Sequence, residues 1–192
     1  MRTLRARLRA FGRAREGASA VEFALISPLL ILFYFGMAET CELMMAQRRV
    51  SHSAAAMADL ITQGGQLDKD ELADILLAGR LIMAPFPTTN LSVRLTSVVR
   101  DPNNQNLADW SEVSGTAFTK IADGTPVAIK TPINEPGQSV LLAEVQFGHQ
   151  SAVGYVLPGL KTLKHQAELR PRRTDRVVRC ERASATAECI EI

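Results

Sequence analysis

A long run of apolar residues near the N-terminus dominates the pattern of hydrophobic and polar positions along this chain. Residues 23–38 contain no charged side chain, and residues 18–38 contain a single one, that of Glu22. Because a helix rises about 1.5 Å per residue, residues 18–38 would span roughly the 30 Å hydrocarbon core of a bilayer. The pattern predicts one transmembrane helix here.

Helical character continues beyond the apolar run. Residues 39–62 contain no proline or glycine, and the alanine-rich residues 54–58 favour helix. Polar side chains occupy residues 47–53, so we predict a solvated helical stalk at residues 39–64, ending at a glycine pair. A weak apolar stripe along it consists of Met37, Cys41, Met44, Arg48, Ser51 and Ala55. A single helix over residues 18–62 would be roughly 65 Å long.

A second helix is predicted from residue 68 to about residue 84. Asp68 can cap its N-terminus, Glu71 follows three residues later, and Pro85 closes it. At helical spacing, one face carries Leu72, Ile75, Leu76, Gly79, Ile82 and Met83. We assign this face to the core.

The rest of the chain predicts strands. Apolar and polar positions alternate in three segments, whose apolar faces are Leu91, Val93, Leu95 and Val99; Leu141, Ala143, Val145 and Phe147; and Leu163, His165, Ala167 and Leu169. Residues 117–121 and 127–131 are further candidates for short strands, whereas the pattern around Trp110 fits no period. The expected fold is α+β, with a long N-terminal transmembrane and stalk helix and a second helix packed on a small antiparallel sheet. The domain would cover residues 65–192.

The charges on either side of the apolar run predict its orientation. Residues 1–17 carry six arginines and one glutamate, whereas Glu39 and Glu42 follow the run and no base occurs before Arg48. The positive-inside rule then places the N-terminus in the cytoplasm and the C-terminal domain in the periplasm. We expect a single-pass protein of a bacterial inner membrane. An ordinary secretory signal would need an Ala-x-Ala cleavage pattern after the run, and residues 37–41 offer none.

Composition argues against several classes of function. The formal net charge of +2 comes from the N-terminal arginines, since residues 40–192 hold sixteen bases and seventeen acids. A near-neutral exported part with few aromatics does not fit a nucleic-acid binder. The three histidines have no metal-ligand spacing, and no phosphate-binding loop or catalytic motif occurs. We therefore predict no enzyme, no cofactor and no metal site.

The small-residue break before the helix, Glu16-Gly-Ala-Ser-Ala20, resembles a type IV-like prepilin signal. In such signals a prepilin peptidase cuts after a glycine, and a glutamate is the fifth residue of the mature protein. Counted from Ala18, Glu22 is the fifth. Residues 20–28, Ala-Val-Glu-Phe-Ala-Leu-Ile-Ser-Pro, resemble more specifically the TadE-like pilus assembly proteins of the tight-adherence (Tad) system. Residues 163–173, which run into Arg-Pro-Arg, are similar to the way such proteins end.

This resemblance implies a function and a set of partners. The protein would be a pseudopilin or minor pilin of a Tad (Flp-type) pilus, acting in initiation or assembly after cleavage between Gly17 and Ala18. Residues 1–17 would be its leader. In the filament, Glu22 would pair with the free amine of Ala18 on a neighbouring subunit; alternatively, Glu22 lies at headgroup level and is hydrated. The implied partners are the prepilin peptidase, other pilin-like subunits, the Tad inner-membrane assembly platform and the lipid bilayer.

Two other functions remain open at this point. The protein could keep its leader and act as a bitopic accessory protein that holds a periplasmic binding domain near a secretion complex. A membrane-anchored periplasmic enzyme is the other alternative, for which the sequence supplies no candidate nucleophile or base.

Two features of the C-terminal part complete the predictions. Cys180 and Cys189 enclose eight residues, and we expect them to form a disulfide in the oxidising periplasm. Cys41 is the rival partner, although its place just past the membrane helix fits a small apolar role. A basic tail consists of Arg170, Arg172, Arg173, Arg176, Arg179 and Arg182. It is either a solvated edge strand or a contact for an acidic subunit or anionic lipid headgroups.

Overall fold

The structure, a computed structural model, describes residues 17–151, 154 and 158–180. Its elements are α1 (Ala18–Gln63), β1 (Gln66–Leu67), α2 (Lys69–Ile82), β2 (Leu91–Arg100), β3 (Asn106–Ser114), β4 (Ser139–Gln150), β5 (Leu160–Leu169) and β6 (Val178–Arg179). A 3-10 turn, Thr88–Asn90, leads into β2. The predicted α+β class is confirmed. Residues 1–16 of the leader, Arg182 and Cys189 lie outside the described residues.

Helix α1 is continuous over 46 residues, which corresponds to about 69 Å. Pro28 lies inside it without ending it. The N-terminal half makes little contact with the domain. The large apolar residues from Val21 to Phe35 all keep between 38% and 75% of their surface exposed. The C-terminal half packs on the sheet and on α2. One helix thus joins an unpartnered apolar segment to the domain core.

The main sheet is antiparallel, with strand order β3-β2-β4-β5. Its central pair β2–β4 places Val93 opposite Val145 and Leu95 opposite Ala143. The face that carries these residues packs against α1 to form the core. The core members from α1 are Ala46, Val50, Ala54, Met57, Ala58 and Ile61. Of the apolar positions predicted for these two strands, Leu91, Val93, Leu95 and all four positions of residues 141–147 are buried, whereas Val99 is half-buried.

The weak apolar stripe along the helix beyond the membrane does not coincide with the face of α1 that packs in the core. Ala46, Val50 and Met57 are fully buried, whereas Cys41 and Arg48 are exposed. The two sets of residues lie on opposite sides of α1, because successive residues turn by 100° around a helix. Small residues at positions 46, 54 and 58 let the helix approach the sheet closely. The segment assigned to a stalk, residues 39–64, therefore also supplies core residues.

Helix α2 begins as predicted. Asp68 is its N-cap, and its side chain accepts a 2.7 Å hydrogen bond from the Glu71 amide. Leu72, Ile75 and Gly79 are buried against the rest of the domain. At Gly79 the two helices touch: the Ser53 hydroxyl donates to the Gly79 carbonyl at 2.9 Å, and a Cβ on Gly79 would lie 2.3 Å from the Met57 sulfur.

This contact makes Gly79 a test of the helix packing. Gly79→Ala should lower the free energy of unfolding by up to about 2 kcal/mol, because overpacking a core typically costs about 1–3 kcal/mol and alanine regains about 1 kcal/mol of helix propensity. In a Met57→Ala background the same substitution should become neutral or stabilising. Urea unfolding of the four proteins of this double-mutant cycle checks both signs. Equal effects in the two backgrounds would contradict the contact.

The chain between β2 and β4 folds differently from the prediction, with one strand, β3, in place of two later short ones. Trp110 lies in β3, where a bulge shifts the register between Ser97 and Val98 and breaks the alternation on which the prediction depended. Residues 117–121 and 127–131 are not strands, so that prediction is wrong. Val127 and Ile129 instead cover a second small cluster on the other face of the sheet, formed by Val98, Ile133, Val140 and Leu142.

Candidate functional site

Gly17 and Ala18 lie at the start of α1. The helix begins at Ala18, and Gly17 occupies the N-cap position with an exposed backbone and an ordinary φ of −80°. Among the described residues no side chain caps this end, and the first turn contains no acid. A Cβ on Gly17 would meet nothing within 4 Å. The fold itself therefore does not require glycine at this position.

Glu22 lies four residues after Ala18, on the same face of the helix. Its side chain is exposed, and its neighbours Val21 and Phe23 are 61% and 68% exposed apolar residues. The arrangement puts one carboxylate in an apolar surface, one turn from the positive end of the helix dipole. Such a carboxylate is costly in hydrocarbon unless it is hydrated or meets a cationic partner.

The segment around these residues has the properties of a membrane span. Its most apolar window of eighteen residues has a mean hydropathy of 1.9, and none of that window is buried inside the protein. A core helix of a soluble protein would be mostly buried. One such N-terminal helix fits a single-pass membrane protein.

The arginines of the predicted basic tail are mostly engaged within the domain. Arg170 donates to the Pro132 carbonyl, and Arg172 pairs with Asp59. Arg176 forms two hydrogen bonds with Asp109 at 2.5 and 2.9 Å, and Arg179 pairs with Glu112 at 2.9 Å. These contacts fasten the C-terminal segment to α1 and β3, and both roles considered for the tail stay predictions.

The position of the tail also separates it from the membrane. Asp59, the partner of Arg172, lies about 31 Å along α1 from Ala38, where the apolar run ends. The segment then enters a two-stranded sheet in which β6 pairs in parallel with β1. The described arginines of the tail therefore lie far along α1 from the apolar run, which does not favour a contact with headgroups of the bilayer that α1 enters.

Two strand carboxylates, those of Glu112 and Glu168, bind residues of the segment between β3 and β4. Burial raises the pKa of Glu112, but Lys120 at 2.7 Å and Arg179 at 2.9 Å outweigh it and hold the pKa below its ordinary value. Burial also raises the pKa of Glu168, and the amides of Thr131 and Lys130, which donate at 2.6 and 2.8 Å, lower it overall. Both groups act as structural ties between segments.

His149 is the buried histidine that the sequence analysis did not single out. It exposes 3% of its surface, its ring lies 5.7 Å from that of Phe86, and its Nε2 has no hydrogen-bond partner among the described residues. His165, which we placed on the apolar face of a strand, is half-buried on β5. The alternation that ends at Phe147 extends by one step to His149 and could have identified it. Within the described part of the chain, no three His, Cys, Asp or Glu side chains form a cluster.

The cysteines are only partly described. Cys180 is buried, and its amide donates to the Leu67 carbonyl at 2.9 Å. Cys189 lies outside the described residues, so the pairing of these two cysteines stays a prediction. Cys41 is a free, exposed thiol on α1.

Comparison with known proteins supports the assignment made from the helix. Residues 17–59 match the family of TadE-like proteins. No curated protein and no solved structure matches the chain. The match begins at Gly17 and contains Glu22, the apolar run and most of α1. TadE-like proteins are a family of pilus assembly proteins, so the match suggests a role in Tad pilus assembly, with other Tad components as partners. The predicted resemblance is thus confirmed over these residues: the N-terminal helix of this chain is similar to that of TadE-like proteins.

Proposed function

We propose that this protein is a pseudopilin or minor pilin of a Tad pilus that a prepilin peptidase cuts between Gly17 and Ala18. The mature protein then begins with the first residue of α1, and its apolar half anchors it in the inner membrane. The six arginines of residues 1–17 keep the leader in the cytoplasm, so the domain lies in the periplasm.

The coincidence of three features at the start of α1 carries this proposal. The matched segment begins at Gly17, helix α1 begins at Ala18, and Glu22 is the single charged residue of the apolar run. A cut at this point creates a cationic amine at the helix N-terminus, where the helix dipole is also positive. The positive charge at that end then has no carboxylate partner in its own first turn, which contains no acid.

Glu22 of a neighbouring subunit can supply this carboxylate. In the filament, the pairing would place an anion beside the new amine and give each intramembrane carboxylate a cationic partner. The exposed apolar residues around Glu22 would exclude water from the pair. This pairing would select subunits whose helices are offset along the filament axis by about one helical turn or more, since Glu22 lies four residues above Ala18.

A second function, that of an uncleaved bitopic accessory protein, differs in the fate of the leader. The N-terminal residue of the wild-type protein separates the two. Mass spectrometry of the membrane fraction from cells that contain the peptidase should find Ala18 at the N-terminus. Intact residues 1–17 on the membrane-bound protein would favour the accessory function.

We further expect the domain to contain a disulfide between Cys180 and Cys189. Cys180 is fixed by its amide hydrogen bond to Leu67, so the bond would tie the chain's last residues to the end of β6. A short loop of this kind contributes about 2–3 kcal/mol. Peptide mapping without reduction should recover the two cysteines in one cross-linked peptide and Cys41 as a free thiol. Alkylation of both Cys180 and Cys189 before reduction would contradict the bond.

A further inference from the structure

The end of the domain that faces the membrane is marked by Glu39. This residue follows Ala38, the last residue of the apolar run, and it exposes only 2% of its surface. Protein therefore covers one face of α1 at the level where the helix leaves the hydrocarbon core, while Ala38, Thr40 and Cys41 are exposed on the rest of the helix. This contact brings one side of the domain close to the level of the bilayer surface.

The direction of β5 shows which residues lie at this level. Residues just beyond the end of β5 meet the C-terminal end of α1, since the Arg172 amide donates to the Thr62 carbonyl at 3.0 Å. The ten residues of β5 span roughly 30 Å, which equals about twenty residues of helix. Leu160, the first residue of β5, is therefore at the membrane end of the domain. Gly148 and Asn90 are beside it, because a Cβ on Gly148 would lie 3.2 Å from Leu160 and 3.3 Å from Asn90.

The chemistry of this end fits a lipid surface. Met44, Met45 and Leu160 keep 61%, 48% and 58% of their surfaces exposed, although all three are large and apolar. Lys161 and Lys164 are exposed nearby on β5. Neither residues 75–100 nor the described parts of 145–167 contain an acid, and Glu42 is the exposed acid of α1 at this level. The surface is thus apolar and predominantly basic.

We propose that these five residues, Met44, Met45, Leu160, Lys161 and Lys164, form a basal face that binds the headgroup region of a bilayer containing anionic lipid. The proposal rests on insertion of α1 in the membrane but not on cleavage at Gly17. Apolar side chains at headgroup depth enter the interface, and lysines are attracted by anionic lipid. The continuity of this face with the membrane span favours lipid over a protein partner.

The test uses the full chain in vesicles of phosphatidylcholine and phosphatidylglycerol. A Cys41→Ser background receives a nitroxide label at Leu160→Cys, at Leu60→Cys or at Leu30→Cys. Leu60 is 40% exposed and lies about 33 Å along α1 from Ala38, so it reports the far end of the domain. Leu30 reports insertion of α1. The accessibility of each label to oxygen and to a water-soluble nickel complex is measured by power saturation.

We expect the nickel complex to reach the label at position 160 severalfold less than the label at position 60. Reversing two charges of the basal face, Lys161→Glu with Lys164→Glu, should remove most of this protection. The matched reversal at the far end, Lys69→Glu with Arg173→Glu, should leave it unchanged. Vesicles of phosphatidylcholine alone should protect the label less.

Three results would overturn the proposal. Equal accessibility at positions 160 and 60, with Leu30 in lipid, would refute the basal face while leaving the membrane helix and the proposed function intact. A label at Leu30 in water would refute both. Protection that disappears when the protein is diluted into excess lipid would assign the face to a second copy of the chain.

Discussion

Gly17→Leu should leave the whole protein uncut, with residues 1–17 still attached in cells that contain the prepilin peptidase. The proposed cut requires the peptidase to approach the backbone at residue 17, where a large side chain would block it. The fold gives no other reason for an effect, because Gly17 is exposed, has an ordinary φ and has open space where a side chain would stand. Intact mass measurement of the membrane-bound protein should show an all-or-none difference from the wild type.

Two controls separate processing from folding. Ala14→Leu adds the same side chain to the leader three residues earlier and should be cut normally. The domain of the Gly17→Leu precursor should unfold at the same urea concentration as the wild type, since residue 17 makes no contact with it. Normal cleavage of Gly17→Leu would remove the support for Gly17 as the processing residue.

The elements that could be predicted from the sequence are those with a regular pattern along the chain or with an interaction between near neighbours. The apolar run faces a single medium along its whole length, and β4 alternates between core and outer face without interruption. The N-cap of α2 is a local interaction between residues three apart, so Asp68 and Glu71 identified it. Residues 17–59, which carry the family signature, coincide almost fully with α1.

The features that the sequence did not predict depend on contacts between distant residues. The bulge beside Trp110 in β3 moves this strand out of a simple period, and the Trp110 ring nitrogen donates to the Val177 carbonyl at 2.9 Å. The buried face of α1 uses alanines, which hydrophobicity alone does not distinguish from exposed helix formers. The acids that engage Arg172, Arg176 and Arg179 lie 67 to 113 residues away in sequence. Considered in isolation, the basic tail therefore suggested either a solvated edge strand or an external partner.

Glu22→Ala should be inserted and cut like the wild type but should abolish pilus assembly. Removal of a carboxylate from an apolar segment does not hinder insertion, and the cut lies five residues earlier at the start of α1. The proposed partner of Glu22 is the Ala18 amine of another subunit, so the loss becomes apparent only when subunits assemble. Electron microscopy and sheared-surface fractions should show piliation reduced to the background of a strain that lacks the protein.

Matched variants identify the charge as the cause. Glu22→Gln keeps the size and polarity of the side chain and should fail like Glu22→Ala, whereas Glu22→Asp should retain part of the activity. Glu42→Ala removes another exposed carboxylate from the same helix, beyond the apolar run, and should assemble normally. Because an amine without a carboxylate in a water-poor contact leaves an uncompensated charge, even the isosteric glutamine should not rescue assembly. Normal piliation of Glu22→Gln would refute the ion pair and favour a hydrated Glu22 at headgroup level.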